Sequence, residues 1–186
     1  MNVFDLLDDD TRPKAPPIPQ ASAADRVAGK RLALIHDMHL NALDETRAMM
    51  ERVEAGQLNA DTFAAQIDNL DMMRNYARFG NLCGRECEFL NFHHSAEDED
   101  IFPVISARAS DGIKRVVERL KQEHEVIHQL LISLARNAAA IKSNPGHETF
   151  EDARETFILL DRVIRSHFSY EQTELEDALG FYGVVY

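Results

Sequence analysis

The sequence predicts an all-α fold: four long helices in an up-down-up-down antiparallel bundle. Three observations carry this. Apolar residues recur every three or four positions through nearly the whole chain after residue 24, which is the period of a helix with one buried face. No stretch alternates with the period of two that a half-buried strand needs. Glycine, proline and asparagine interrupt the pattern at few and short places, and long helices on short connections pack antiparallel.

Residues 1–24 read as a flexible leader. They hold Pro13, Pro16, Pro17 and Pro19, and "RPKAPPIPQASAA" favours extended, mobile chain. The start "MNVFDLLDDD" is acidic and lacks a basic segment leading into an apolar run, so it does not read as a signal peptide. A disordered end is expected there rather than docking through Phe4, Leu6 and Leu7.

Residues 25–186 form the bundle. Asp25 is placed to cap the first helix, whose stripe is Leu32, Ile35, His39, Ala42, Thr46, Met49 and Val53, with Gly56 as the stop. Asp61 caps a second long segment ended by Pro103, with Gly80 and Gly84 allowing a kink. Ser110 or Asp111 opens the third helix, striped by Ile113, Val117, Leu120, His124, Ile127, Leu131, Leu134, Ala138 and Ile141. "SNPGHE" turns the chain into a fourth helix from about residue 148 to 179, with Phe150, Ala153, Phe157, Leu160, Ile164, His167, Glu171 and Glu174 in step.

Composition excludes several functions. The net charge of −12 offers no basic surface to neutralise a row of phosphates, so nucleic acid is not an expected partner. No run approaches the roughly 20 apolar residues of a membrane span. Two cysteines, Cys83 and Cys87, are too few for a disulfide framework and point to a reducing, cytoplasmic setting. They read as small buried side chains, and the methionines as core fillers.

The informative residues are the polar ones inside the stripes. Burying a carboxylate or imidazole is costly unless it is paired or bound to a metal. His39, His124, His167, Glu97 and Glu171 all take stripe positions. Counted from one end of an antiparallel bundle, His39, His93, His124 and His167 fall at heights of roughly 15 to 21 Å, at about 1.5 Å per residue. The spacings His93-x-x-x-Glu97, His124-x-x-x-His128 and His167-x-x-x-Glu171 each put two ligand types on one helix face, a turn apart. One such pair is weak evidence, since His147-x-x-x-Glu151 also occurs near a helix start. Three pairs plus a histidine from the remaining helix are strong evidence for a metal site.

Those residues carry a resemblance. "HDMHLNAL", "FHHSAEDEDIFP", "EHEVIHQLL" and "HFSYEQTEL" together resemble the hemerythrin family of HHE cation-binding bundles, over about residues 28–180. The resemblance implies a hemerythrin-like four-helix bundle around a non-haem di-iron centre, oxo- or hydroxo-bridged. Carried over by position, it implies His39, His93, His124, His128 and His167 as ligands and Glu97 and Glu171 as bridging carboxylates. The residues leave alternatives open. His36 lies one turn before His39, His94 has its own partner in Asp98, and His128 is either a ligand or a spare. Beyond Glu97, "EDED" reads as a solvated face, Tyr170 as packing, and Glu174 as either near the metals or exposed.

Imidazole and carboxylate donors suit iron, zinc, manganese or copper alike, so the donor set does not choose among them. Ferritin-like carboxylate bundles need Glu-x-x-His on two helices, and here Glu125/His128 stands alone, with Glu125 off its stripe. The histidine-rich set favours reversible binding of O2 or peroxide, or electron transfer, over strong oxidation. The expected function is sensing, stress protection or iron handling. The alternatives are a di-iron enzyme that decomposes peroxide or repairs iron–sulfur clusters, and a metal-independent helical interaction module. The expected partner is a small diatomic or peroxide ligand, with no nucleic acid and no membrane; nothing in the sequence forbids an oligomer.

Overall fold

The computed structural model describes residues 10–69 and 90–184. The expectations for Phe4, Leu6, Leu7, Met72, Met73, Gly80, Cys83, Gly84 and Cys87 lie outside the described residues. Every regular element is helical, with no strand among the described residues. Nor is any helix among them long and apolar enough to cross a membrane.

The elements are α1 (Ala23–Gly29), α2 (Arg31–Glu54), α3 (Ala60–Asn69), α4 (Leu90–Ala96), a π-helical turn (Glu97–Ile101), α5 (Phe102–Arg108), α6 (Asp111–Ser143) and α7 (His147–Phe181). They divide into two compact units. One comprises Met1–Asp37, His94–Val126 and Val163–Tyr186, the other Met38–His93 and Ile127–Arg162.

Local chemistry sets the helix ends. Ser22 caps α1: its hydroxyl accepts from the Asp25 N–H at 3.1 Å, and the Asp25 carboxylate accepts from the Ser22 N–H at 2.7 Å. Asp25 therefore serves inside the first turn, whereas the sequence pattern put it at the cap. α3 is similarly capped by Asn59, whose Oδ1 accepts from the Thr62 N–H at 2.9 Å, so Asp61 falls in the first turn. α2 closes at Gly56, whose φ of +69° favours glycine; the N–H groups of Gly56 and Gln57 donate to Val53 and Arg52.

Pro103 does not end its helix. The π turn absorbs one extra residue, the Phe102 N–H donating to the Glu97 carbonyl five residues back. Pro103 then sits in the first turn of α5, where a missing N–H is tolerated, and the chain stays helical to Arg108. The turn buries Glu97 and Ile101 and exposes the acidic residues between them to varying degrees.

In the first unit, Leu32, Phe102, Ile105, Ile113, Val117, Leu120, Leu175 and Leu179 form one apolar cluster. α1 meets the end of α7 at glycines: a β-carbon at Gly29 would stand 2.0 Å from the Glu176 carbonyl oxygen, and one at Gly180 would stand 1.8 Å from that of Asp25. In the second unit, Phe63 packs edge-on against Phe150 and Phe157, at centroid distances of 5.4 and 6.1 Å.

The third and fourth expected stripes are buried throughout, from Ile113 to Ile141 and from Phe150 to Glu174. The first is offset. The buried face of α2 is Leu32, His36, His39, Leu43, Thr46 and Met50, while Ile35, Ala42 and Met49 lie half-buried on its flank. The described leader also differs from a free arm. Arg12 is 4 % exposed, and Pro16 lies against Gly112.

Candidate metal centre

α4 and the π turn carry His94 and Glu97, α6 carries His124, and α7 carries His167 and Glu171. All five are buried in the first unit, and Glu97 and Glu171 have no exposed surface. Nitrogen atoms of His94, His124 and His167 lie within 4.8 Å of one another. The His94 and His124 rings stack at 4.0 Å, and His167 meets them edge-on at 5.3 and 4.8 Å.

Two of the rings are oriented by carboxylates. His124 Nδ1 lies 3.1 Å from Asp98 Oδ1, and His167 Nδ1 lies 3.1 Å from Glu123 Oε2. A carboxylate only accepts, so the proton of each neutral ring belongs on Nδ1 and Nε2 carries the lone pair. Neither Nε2 has a hydrogen-bond partner among the described residues. They face carboxylates instead: His124 Nε2 is 3.5 Å from Glu97 Oε2, and His167 Nε2 is 3.9 Å from Glu171 Oε2. Acceptor thus confronts acceptor in a buried space, an arrangement that a cation relieves. Burial holds the His124 pKa below its ordinary value, outweighing the Asp98 hydrogen bond that raises it. The ring is therefore neutral near pH 7, the form that binds metals.

Glu171 has a second imidazole beside it, His36 Nε2 at 3.3 Å. His36 stacks on Phe168 at 3.8 Å, and the Gln172 amide nitrogen donates to its Nδ1 at 2.9 Å. This arrangement puts the His36 proton on Nε2, toward Glu171. Rotating the Gln172 amide by half a turn would exchange donor for acceptor and free Nε2 as a ligand.

In the second unit, His39 and His93 are buried with ring centroids 6.1 Å apart, and His128 is half-buried on α6. Of the seven expected ligands, His124, His167, Glu97 and Glu171 thus share the first unit, and His39, His93 and His128 belong to the second. His94 and His36, which the sequence offers as alternatives, join the first group. Asp98 partners His124 rather than His94, so "EDED" is more than a solvated face. Glu123, 1 % exposed and bonded to His167, joins this cluster although the sequence pattern did not single it out. The steps Val116, Leu120, Glu123, Ile127 carry its signal, an edge of the stripe drawn through His124.

The residues fit a transition-metal cation: imidazole lone pairs and buried carboxylates converge, and the His124 and His167 rings are held from behind by further carboxylates. Helical architecture and donor set together define an all-α cation-binding protein. The chain belongs to the hemerythrin HHE cation-binding domain family, whose model matches residues 29–179. No curated protein and no solved structure matches it.

Proposed function

We propose that this is a non-haem di-iron protein, built as an up-down-up-down four-helix bundle, that binds O2, peroxide or NO in sensing, stress protection or iron handling. The observation that carries the reading is the approach of His94, His124 and His167 to within 4.8 Å beside two fully buried carboxylates. Family membership supports cation binding. The choice of iron rests on the resemblance of the histidine and glutamate spacing.

In this reading His94, His124 and His167 would hold a cation, Glu97 and Glu171 would supply negative charge to the centre, and His36 is the next imidazole beside Glu171. Bound iron would supply reversible redox change and open positions for a small oxygen or nitrogen ligand. The chain's own residues do the rest. Asp98 and Glu123 keep the Nε2 lone pairs of His124 and His167 aimed inward. Phe102 and Phe168 flank the imidazoles at 5.8 Å from His124 and His167, respectively, and limit water there. A cytoplasmic setting belongs to the same proposal, resting on the two cysteines.

Metal analysis of protein produced with iron should give close to two Fe per chain and an ultraviolet–visible band of a bridged ferric pair, lost in His167→Ala. Less than one Fe per chain without that band would sink the proposal. Single alanine variants at His36, His39, His93, His94 and His128 decide which of them ligate.

A further inference from the structure

The residues before α1 make a set of contacts that metal binding as proposed above does not use. Arg12 reaches into the first unit and forms a two-pronged salt bridge with Glu123: Nε donates to Oε1 and Nη2 to Oε2, each at 3.0 Å. Both side chains are 1 % exposed. The remaining arm of the guanidinium, Nη1, donates to the Ser166 hydroxyl at 2.9 Å and its carbonyl at 3.4 Å. Glu123 Oε2 is the same atom that holds His167 Nδ1.

The register of this segment is set independently. The Tyr170 hydroxyl donates to the Pro13 carbonyl at 2.7 Å, and the Ala15 N–H donates to Glu174 Oε2 at 2.6 Å. The Arg12 guanidinium lies 4.6 Å over the Tyr170 ring. Tyr170 and Glu174, two polar residues of α7 a turn apart, thus seat the backbone on either side of Lys14 and hold Arg12 in place. A buried ion pair is weak as a source of stability, because desolvation offsets the attraction. It is strong as a geometric device, since the planar fork of arginine fixes the plane of the carboxylate it grips.

We infer that Arg12 is a positioning residue of the metal centre: through Glu123 it fixes the orientation of His167, making the N-terminal segment a working part of the site. The inference rests on His167 being a metal ligand, as proposed above. Three residues from three places in the sequence act in line, Arg12 on Glu123 and Glu123 on His167. A lysine at position 12 would keep the charge and lose the fork. Lys14, two residues on, is largely exposed and contacts Glu174 rather than Glu123. It serves as the control for charge on the arm.

The test uses the full chain with two readouts. The first is the 15N–1H signal of the His167 Nδ1–H in metal-free protein, assigned by its loss in His167→Gln. The second is the rate at which ferrous-loaded protein gives iron up to a chelator. Arg12→Ala should shift or broaden away the His167 signal and speed iron release by up to about tenfold, the low end of the effect of removing a group bonded directly to a ligating histidine. Arg12→Lys should recover part of the loss, and Lys14→Ala should change both readouts far less than Arg12→Ala. If Arg12→Ala fails to fold, Arg12→Lys and Arg12→Gln carry the same comparison. A wild-type His167 signal and wild-type release rate in the Arg12 variants overturn the inference while leaving the proposed function standing. A wild-type chain that takes up no iron overturns that function, and the metal-free His167 signal then decides the tether alone.

Discussion

Asp98 Oδ1 and His124 Nδ1 meet at 3.1 Å, so the acidic π turn is the strut that aims an imidazole carried by α6. Asp98 is 31 % exposed at its side chain while His124 is 1 % exposed, so the contact bridges surface and interior. On the proposed function, Asp98→Ala should weaken metal binding by about 10- to 100-fold, the range seen when a carboxylate behind a ligating histidine is removed. Asp98→Asn keeps an acceptor at the same place and should lose much less. Chelator competition on loaded protein measures both, and equal losses would show that charge, not orientation, is what Asp98 provides.

The two backbone approaches at α1 predict a stability effect that does not involve the imidazole cluster. A β-carbon at Gly180 would stand 1.8 Å from a carbonyl oxygen, so helix backbones, not flexible side chains, must move. Gly180→Ala and Gly29→Ala should each cost about 1–3 kcal/mol, the usual penalty of overpacking. Thermal melting should fall by about 2–4 °C per kcal/mol in a chain of this size. Gly146→Ala, where the nearest atoms lie at 3.9 Å, should melt as wild type.

Metal removal should destabilise the chain. Glu97 and Glu171 are fully buried beside imidazole lone pairs, and a cation bound only by the folded state stabilises it by mass action. At a free metal concentration 100 times the dissociation constant, the gain is about 2.7 kcal/mol. Melting with and without a chelator measures it. An unchanged midpoint would favour the metal-independent helical module.

The metal-free protein should lose stability as the pH falls from 7 toward 5. Burial depresses the His124 pKa in the folded state below the ordinary value near 6.5. Below that ordinary value the unfolded chain binds a proton that the folded chain resists, so stability rises with pH through this window and is lost as pH falls. His124→Gln should flatten the slope between pH 7 and 5, seen as a smaller change in chelated-protein melting across that range.

Much of this was legible in the sequence for a definite reason. Helical periodicity is a local property, and the stripes from Ile113 to Ile141 and Phe150 to Glu174 are buried position for position. The offset on α2 shows the limit. Leu32, His36, His39 and Leu43 also step by three and four, and a period alone does not choose between two stripes one residue apart. Pro103 misled because its usual effect is to stop a helix, whereas a π turn upstream moves the missing N–H into a first turn.

By itself the sequence determined the helical class and the presence of buried imidazoles and carboxylates, because both follow from residue type and spacing along one chain. Only the tertiary structure decided which ring meets which carboxylate: Asp98 with His124, Glu123 with His167, and Arg12 with Glu123 across 111 positions. Such pairings depend on directions and distances of a few ångströms between separate segments, and hydrogen bonds form only where those distances close. No spacing within one helix encodes them.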